Sequence, residues 1–138
     1  MNKKVYFAGS IRGGRDDAEL YRRLIADINR TDTVLTEHIG NLSLSPLEQG
    51  PDKDARIYAQ DTAWIRECDV LIAECTSPSL GVGYELAFAE SLGKPCHVLY
   101  RPARAQLSAM IGGDPYFHVH PYATEAEAIR HLDDILGR

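Results

Sequence analysis

The chain has 138 residues, with 20 acidic against 15 basic side chains and a formal net charge of −5. That length suits one domain with a core of its own, and the charge excludes a general basic surface for DNA or RNA, so any phosphate it holds must be held by local geometry. No apolar run is long enough to cross a bilayer, and Met1-Asn2-Lys3-Lys4 leads straight into a strand pattern with no signal-peptide core.

Lys4 to Ala8 (Lys-Val-Tyr-Phe-Ala) reads as a buried strand ended by Gly9. Asp16 to Ile28 reads as a helix, with Leu20, Leu24, Ile25 and Ile28 on one face and Asp16 and Asp17 at its positive end. Thr33 to Leu35 is a short second strand, and residues 39–52, rich in Gly, Asn, Ser, Pro and Asp, form a loop. Asp54 to Cys68 follows as a helix whose buried side is Ile57, Ala63, Trp64 and Ile65. Val70 to Ala73 is continuously apolar, as a central parallel strand is. Gly83 to Leu92 is a helix stopped by Gly93-Lys94-Pro95, and His97 to Tyr100 is the fourth strand. Arg101 to Gln106 is a loop, and Leu107 to Ile111 a short helical segment. Tyr116 to Val119 is the fifth strand, and Thr124 to Leu136 the last helix, opened by the capping-box sequence Thr124-Glu125-Ala126-Glu127.

Strands alternate with helices throughout, which predicts a single α/β domain over residues 1–138. Its expected architecture is three layers around a five-stranded parallel sheet of flavodoxin-like, Rossmann-like order 2-1-3-4-5. Ligands in such sheets sit at the carboxyl ends of the strands, near the switch point between strands 1 and 3. Two glycine-rich turns start there: Gly9-Ser10-Ile11-Arg12-Gly13-Gly14-Arg15, and Ser77-Pro78-Ser79-Leu80-Gly81-Val82-Gly83. The order predicts that they meet in space.

The first turn lacks the lysine of a Walker loop and the spacing of a dinucleotide fingerprint. Its backbone N–H groups suit an anion nest with Ser10 and Arg12 as donors, and equally a plain tight turn. In the second, Ser79 suits either a phosphate oxygen or an ordinary helix N-cap. Glu85 stands in the first turn of the following helix, where a charge complementing the helix end is the simpler reading. Asp61, between Gln60 and Trp64, suits a solvated helix face. If it instead points at the strand ends, Asp61 and Glu85 form the pair of carboxylates that cleavage at a sugar anomeric carbon requires. Tyr6 reads as core, or as a hydroxyl reaching the mouth of the sheet toward a carboxylate. Glu37 and His38 end the second strand with their role open. His118 and His120 alternate on the fifth strand with no third ligand in view, so no metal site is expected. Cys68, Cys75 and Cys96, an odd number without metal spacing, read as reduced thiols of a cytoplasmic protein.

Tyr6 to Arg15, Val34-Leu35-Thr36-Glu37-His38, Gln60-Asp61, Pro78 to Glu85, Arg101-Pro102 and Leu107-Ser108-Ala109-Met110 together resemble the 2′-deoxynucleoside 5′-phosphate N-hydrolases of the nucleoside 2-deoxyribosyltransferase superfamily. The resemblance implies that Glu85 is the nucleophile on C1′, that Asp61 assists proton transfer and holds the sugar, and that Tyr6 positions the nucleophile. It implies a 5′-phosphate pocket of Ser10, Ile11, Arg12, Gly13, Ser79 and Gly81. Ser108 would be lent by the neighbouring subunit of a homodimer. The implied partner is a small nucleotide, with no cofactor, no nucleic-acid polymer and no membrane. The 39–56 loop and Ala103-Arg104-Ala105-Gln106 match less clearly, so base preference stays open. Three other readings also stand: a ribonucleotide (CMP-type) N-glycosidase, a base-exchanging deoxyribosyltransferase, and a nucleotide-binding module that does not cleave. Two acids beside a phosphate argue against the last, because they would repel the ligand.

Overall fold

A computed structural model describes residues 2–10, 17–36 and 53–138. The elements run β1 (Lys4–Ala8), α1 (Ala18–Ile28), β2 (Thr33–Val34), α2 (Lys53–Glu67), β3 (Val70–Glu74), α3 (Leu80–Ser91), β4 (Cys96–Tyr100), α4 (Ala109–Gly112), β5 (His118–Pro121) and α5 (Glu125–Leu136). All strand pairs are parallel, in the order β2-β1-β3-β4-β5. This is the expected topology, with β1 and β3 as neighbours at the switch point.

The alternation of side chains along each strand sorts the core into two layers. Val5, Phe7, Val70, Ile72 and Leu99 face one way, against Leu20, Tyr21, Leu24 and Ile28 of α1 and Ala128, Leu132 and Leu136 of α5. Tyr6, Ala8, Leu71, Ala73 and Val98 face the other way, against Ile65 of α2 and Val82, Leu86 and Ala89 of α3. The register Tyr6↔Leu71 therefore commits the Tyr6 side chain to the α2–α3 layer.

Three boundaries, and the buried side of α2, differ from expectation in ways that bear on the site. β2 is only two residues long because Thr36 takes over its ladder: the Phe7 N–H donates to Thr36 Oγ1 (2.9 Å), which donates to Phe7 O (2.6 Å). α3 begins at Leu80, three residues early, because Ser79 caps it by accepting from the Val82 N–H (3.3 Å). β5 begins two residues late because Asp114 folds Tyr116 and Phe117 into a turn, accepting the Tyr116 N–H on its side chain (2.9 Å) and the Phe117 N–H on its backbone oxygen (3.2 Å). On α2 the buried residues are Thr62 and Ile65; Trp64 and Ile57 are half-buried and Ala63 is exposed. α5 carries the capping box read from Thr124 and Glu127, and ends at Gly137 in the left-handed region (φ 72°).

Four imidazoles meet on the α5 side of the sheet, where the sequence shows only the pair on β5. His97 stacks on His118 (centroids 4.9 Å apart), His97 Nδ1 and His120 Nε2 lie 3.0 Å apart, and His131 of α5 lies 5.0 Å from His120. The His131 Nε2–H donates to Pro121 O (2.9 Å). The 3.0 Å contact between two ring nitrogens holds one proton, so this pair is stable only while at least one ring is neutral. Among the described residues no group of three or more His, Cys, Asp or Glu is arranged to hold a metal ion. Burial first, then His120, His118 and Lys3, push His97 down to about 4, and burial with His131 and His118 lowers His120 against the opposing pull of Asp134. Because the folded values lie below the unfolded value of about 6.5, this contribution to stability is complete above that pH. It is lost as pH falls from about 6.5 toward His97's folded value of about 4. Thermal melts across that window are expected to fall less for His97→Gln than for the parent chain. Parallel curves would show that the cluster does not titrate in this way.

Candidate active site

The Tyr6 side chain, on the α2–α3 face of β1, sends its hydroxyl to Glu85 Oε2, donating a short hydrogen bond. Glu85 reaches this position because Val82, Leu86 and Ala89 turn one stripe of α3 onto the sheet, and Glu85 stands beside Leu86 on that stripe. The early start of α3 corrects the sequence reading of Glu85. It is the sixth residue of the helix rather than part of the first turn, and the field of a helix end is largely spent beyond that turn. The carboxylate complements no helix end; it is aimed at the tyrosine.

Asp61 comes to the same place from α2. Its neighbours Thr62 and Ile65 are buried, and its Oδ1 is buried with no hydrogen-bond partner among the described residues. The solvated-face reading of Asp61 therefore does not hold. Burial pushes Asp61 up to about 6 and Glu85 up to about 7, and hydrogen bonding to Tyr6 pulls each part of the way back; the Asp61 charge adds to the rise at Glu85. Tyr6 itself is driven far above the ordinary phenol range by burial and by both carboxylates, so it remains a donor. Two acids thus share one phenolic proton in a site that disfavours double ionisation.

Ser10, two residues past β1, is fully buried. Its N–H donates to the Tyr21 hydroxyl (3.2 Å), and its own Oγ has no partner among the described residues. Gly9 is required beside it, since a Cβ there would lie 2.8 Å from the Tyr21 ring. Ser79 caps α3 with its oxygen lone pair, which leaves its proton free to give away. Gly81 and Gly83 sit in the first turns of α3, where an added Cβ would meet nothing closer than Ser79 Oγ at 3.8 Å. Packing with the described residues does not demand these glycines, and each costs a helix about 1 kcal/mol relative to alanine. Ser108 is exposed at the start of α4, where it accepts from the Met110 N–H (3.2 Å). Ile11, Arg12, Gly13, Glu37 and His38 lie outside the described residues.

A second buried polar cluster, absent from the sequence reading, lies on the opposite face of the same strand ends. Glu74, fully buried at the end of β3, accepts from the Thr76 N–H (2.9 Å), the Thr76 hydroxyl (2.7 Å) and the Tyr122 hydroxyl (2.6 Å). Thr76 Oγ1 accepts in turn from Arg101 N (3.1 Å) and Nε (3.3 Å), and Arg101 Nη2 makes a short ion pair with Asp17. Asp17 was expected to complement the end of α1 by charge. It occupies the N-cap position but makes no side-chain cap bond, and its carboxylate pairs with Arg101 instead. A carboxylate closing the otherwise apolar Val70–Glu74 was the sequence signal for this cluster.

The raised values at Asp61 and Glu85 set a sign for stability. An acid whose folded pKa lies above its unfolded value stabilises the fold fully below the unfolded value, about 4, and that contribution is lost as pH rises through the folded value. For Glu85 the loss runs from about 4 to about 7, and is complete above. Glu85→Gln is expected to melt at a higher temperature than the parent at pH 8 and at nearly the same temperature at pH 4. A gain of equal size at both pH values would place its origin outside this titration.

Residues 5–127 match the sequence pattern of the family described as nucleoside 2-deoxyribosyltransferase. The 5-hydroxymethyl-dUMP N-hydrolase of Mus musculus is 49% identical over 126 residues, spanning 88% of this chain and 73% of its own length. The enzyme of the same name from Rattus norvegicus is 48% identical over 134 residues, spanning 94% and 82%. Among solved structures, the Clostridium botulinum CMP N-glycosidase BcmB superposes with a TM-score of 0.65 over 95% of this chain and 99% of its own, at 20% identity, which speaks to the fold. With its buried tyrosine–carboxylate site at the ends of a 2-1-3-4-5 sheet, the chain belongs to the nucleoside 2-deoxyribosyltransferase family.

Proposed function

We propose that this protein hydrolyses the N-glycosidic bond of 2′-deoxynucleoside 5′-monophosphates, giving free base and 2-deoxyribose 5-phosphate. The observation that carries the reading is the convergence of the half-buried Glu85 and Asp61 on the buried Tyr6 hydroxyl. The names of relatives close to half identical in sequence support the substrate class.

Tyr6 holds Glu85 Oε2 and leaves Oε1 to attack C1′. As the C1′–Glu85 bond forms, the C1′–N bond breaks and its electron pair leaves with the base. Asp61, raised to about 6, is suited to carry the proton that the departing base takes. Water then attacks C1′, gives a proton back to Asp61 and releases Glu85. The productive state has Glu85 ionised and Asp61 protonated; the protein's own surroundings favour the proton on Glu85 (about 7) over Asp61 (about 6), so the bound nucleotide has to reverse that order within the coupled pair. Without a 2′-hydroxyl the oxocarbenium-like centre forms more readily, so no cofactor is needed. Ser10, Ser79, Gly81 and the segment Ile11-Arg12-Gly13 are the proposed 5′-phosphate pocket. The unpartnered Ser10 Oγ and the free Ser79 proton support it. Binding energy gathered there retains the nucleotide in the site.

A homodimer is part of the proposal. Leu80 is 97% exposed and Met110 81%, with Tyr58 and Tyr84 each about half exposed. Met110 lies two residues from Ser108, and Tyr58, Tyr84 and Phe88 form a continuous aromatic row on α2 and α3. A second copy covering this face would bring its own Ser108 toward a neighbouring phosphate pocket. The free thiols Cys68, Cys75 and Cys96 suit a reducing, cytoplasmic compartment.

Chromatography of products from the four dNMPs, the matching NMPs and unphosphorylated deoxynucleosides, with and without an acceptor base, tests the reaction. Free base from dNMPs is expected, together with a loss of at least about 10³-fold in kcat for Glu85→Ala while nucleotide still binds. Release from NMPs alone would make the protein a ribonucleotide N-glycosidase, exchange into the acceptor base a transferase, and binding without release a nucleotide-binding module. For the shared site, Ser108→Ala mixed with Glu85→Ala is expected to regain activity at low substrate concentration, since one mixed site has both residues. No regain after confirmed subunit exchange would confine each site to one chain.

A further inference from the structure

Arg101 stands in a stretch shared with the family resemblance, yet the reaction gives it no task. Its contacts form a chain. Glu74 holds Thr76 and Tyr122, Thr76 holds Arg101, and Arg101 holds Asp17 at the start of α1. The Asp17 carbonyl accepts the Tyr21 N–H (2.9 Å), and the Tyr21 hydroxyl accepts the Ser10 N–H. The chain thus runs from the ends of β3 and β4 to the one buried serine hydroxyl that has no partner among the described residues. It does so on the α1–α5 face, whereas Tyr6 and Glu85 meet on the α2–α3 face.

The cluster is an expensive way to gain stability. Asp17 and Glu74 are both buried, with Arg101 the cation between them, and buried ion pairs seldom outperform apolar packing. What such a pair provides is fixed geometry. The Arg101 guanidinium is held at Nε and Nη2 and lies 5.9 Å from the centre of the Tyr122 ring, so its direction is set from three sides.

Resting on the phosphate pocket proposed above, we propose that Arg101 and Asp17 are positioning residues for the substrate's 5′-phosphate. They lock the start of α1, and through Tyr21 they set Ser10 where its free hydroxyl meets a phosphate oxygen. They act on phosphate capture and leave the chemistry at Glu85 alone.

The test measures KM and kcat for a dNMP, with inhibition constants for inorganic phosphate and for the matching unphosphorylated deoxynucleoside. Arg101→Ala and Asp17→Asn are each expected to raise KM and the phosphate inhibition constant about tenfold or more, as the misplacement of one charge-assisted contact does. In both, kcat and the deoxynucleoside inhibition constant stay within about threefold. The Arg101→Ala/Asp17→Asn double variant is expected to be no worse than the worse single change, because the pair acts as one unit. Arg101→Lys, which keeps the charge but not the fork, is expected to recover part of the loss. If Arg101→Ala folds poorly, Asp17→Asn and Arg101→Lys carry the same comparison. Equal losses for phosphate and deoxynucleoside, a fall in kcat alone, or unchanged constants would overturn the inference. The parent protein separates the two proposals: if it binds dNMP no better than deoxynucleoside, the phosphate pocket itself is wrong. If it prefers dNMP and the variants keep that preference, only the roles of Arg101 and Asp17 are wrong.

Discussion

Two half-buried carboxylates and one phenolic proton set the terms for this molecule. Tyr6 has one proton for two acids: it donates its short bond to Glu85 and also pulls Asp61 down part of the way. Asp61 is left with a buried oxygen that has no partner among the described residues, and both acids resist ionisation. An arrangement of this kind costs stability at neutral pH, so the surrounding structure has to hold it in place. The fold does so with a central strand and two helices packed on it, α3 through Val82, Leu86 and Ala89 and α2 through Ile65. Holding carboxylates in a costly state is the usual mark of a site selected for chemistry rather than for packing.

The sheet separates two tasks. On its α2–α3 face it presents the tyrosine and the carboxylates. On its α1–α5 face, at the same strand ends, it presents a hydrogen-bonded network built on Glu74 and Arg101. β1 touches both: Tyr6 points to one side, and Ser10, two residues past the strand, is held by Tyr21 of α1 on the other. A nucleotide lying across the switch point between β1 and β3 would place its reacting carbon and its phosphate on different supports. Each support can then be rigid without constraining the other.

Much of this was legible in the chain. The alternation of apolar strands with amphipathic helices led to the sheet order, and the Thr124–Glu127 capping box is present as read. Asp61 and Glu85 could be named as candidates because cleavage at an anomeric carbon needs two carboxylates, and the family resemblance added Tyr6 beside them. Their bland alternatives (core tyrosine, solvated acid, helix-end charge) were equally legible. Glu74 and Thr36 were missed because each completes a hydrogen-bond pattern with residues distant in sequence, Tyr122 and Phe7, and nothing local signals that closure. The four-histidine cluster was half visible for the same reason: His118 and His120 sit on one strand, but His97 and His131 arrive through register and helix packing.

Local sequence determined the element types, the parallel order and the residue types available at the strand ends, because periodicity, caps and turn chemistry act over a few residues. Tertiary structure decided which side chains meet. The register of β1 against β3 turned Tyr6 toward α2 and α3. The Arg101 pair drew Asp17 away from the helix end that its position in the sequence had indicated. Hydrogen bonds between residues tens of positions apart are set by packing geometry, and that geometry exists only once the layers have closed.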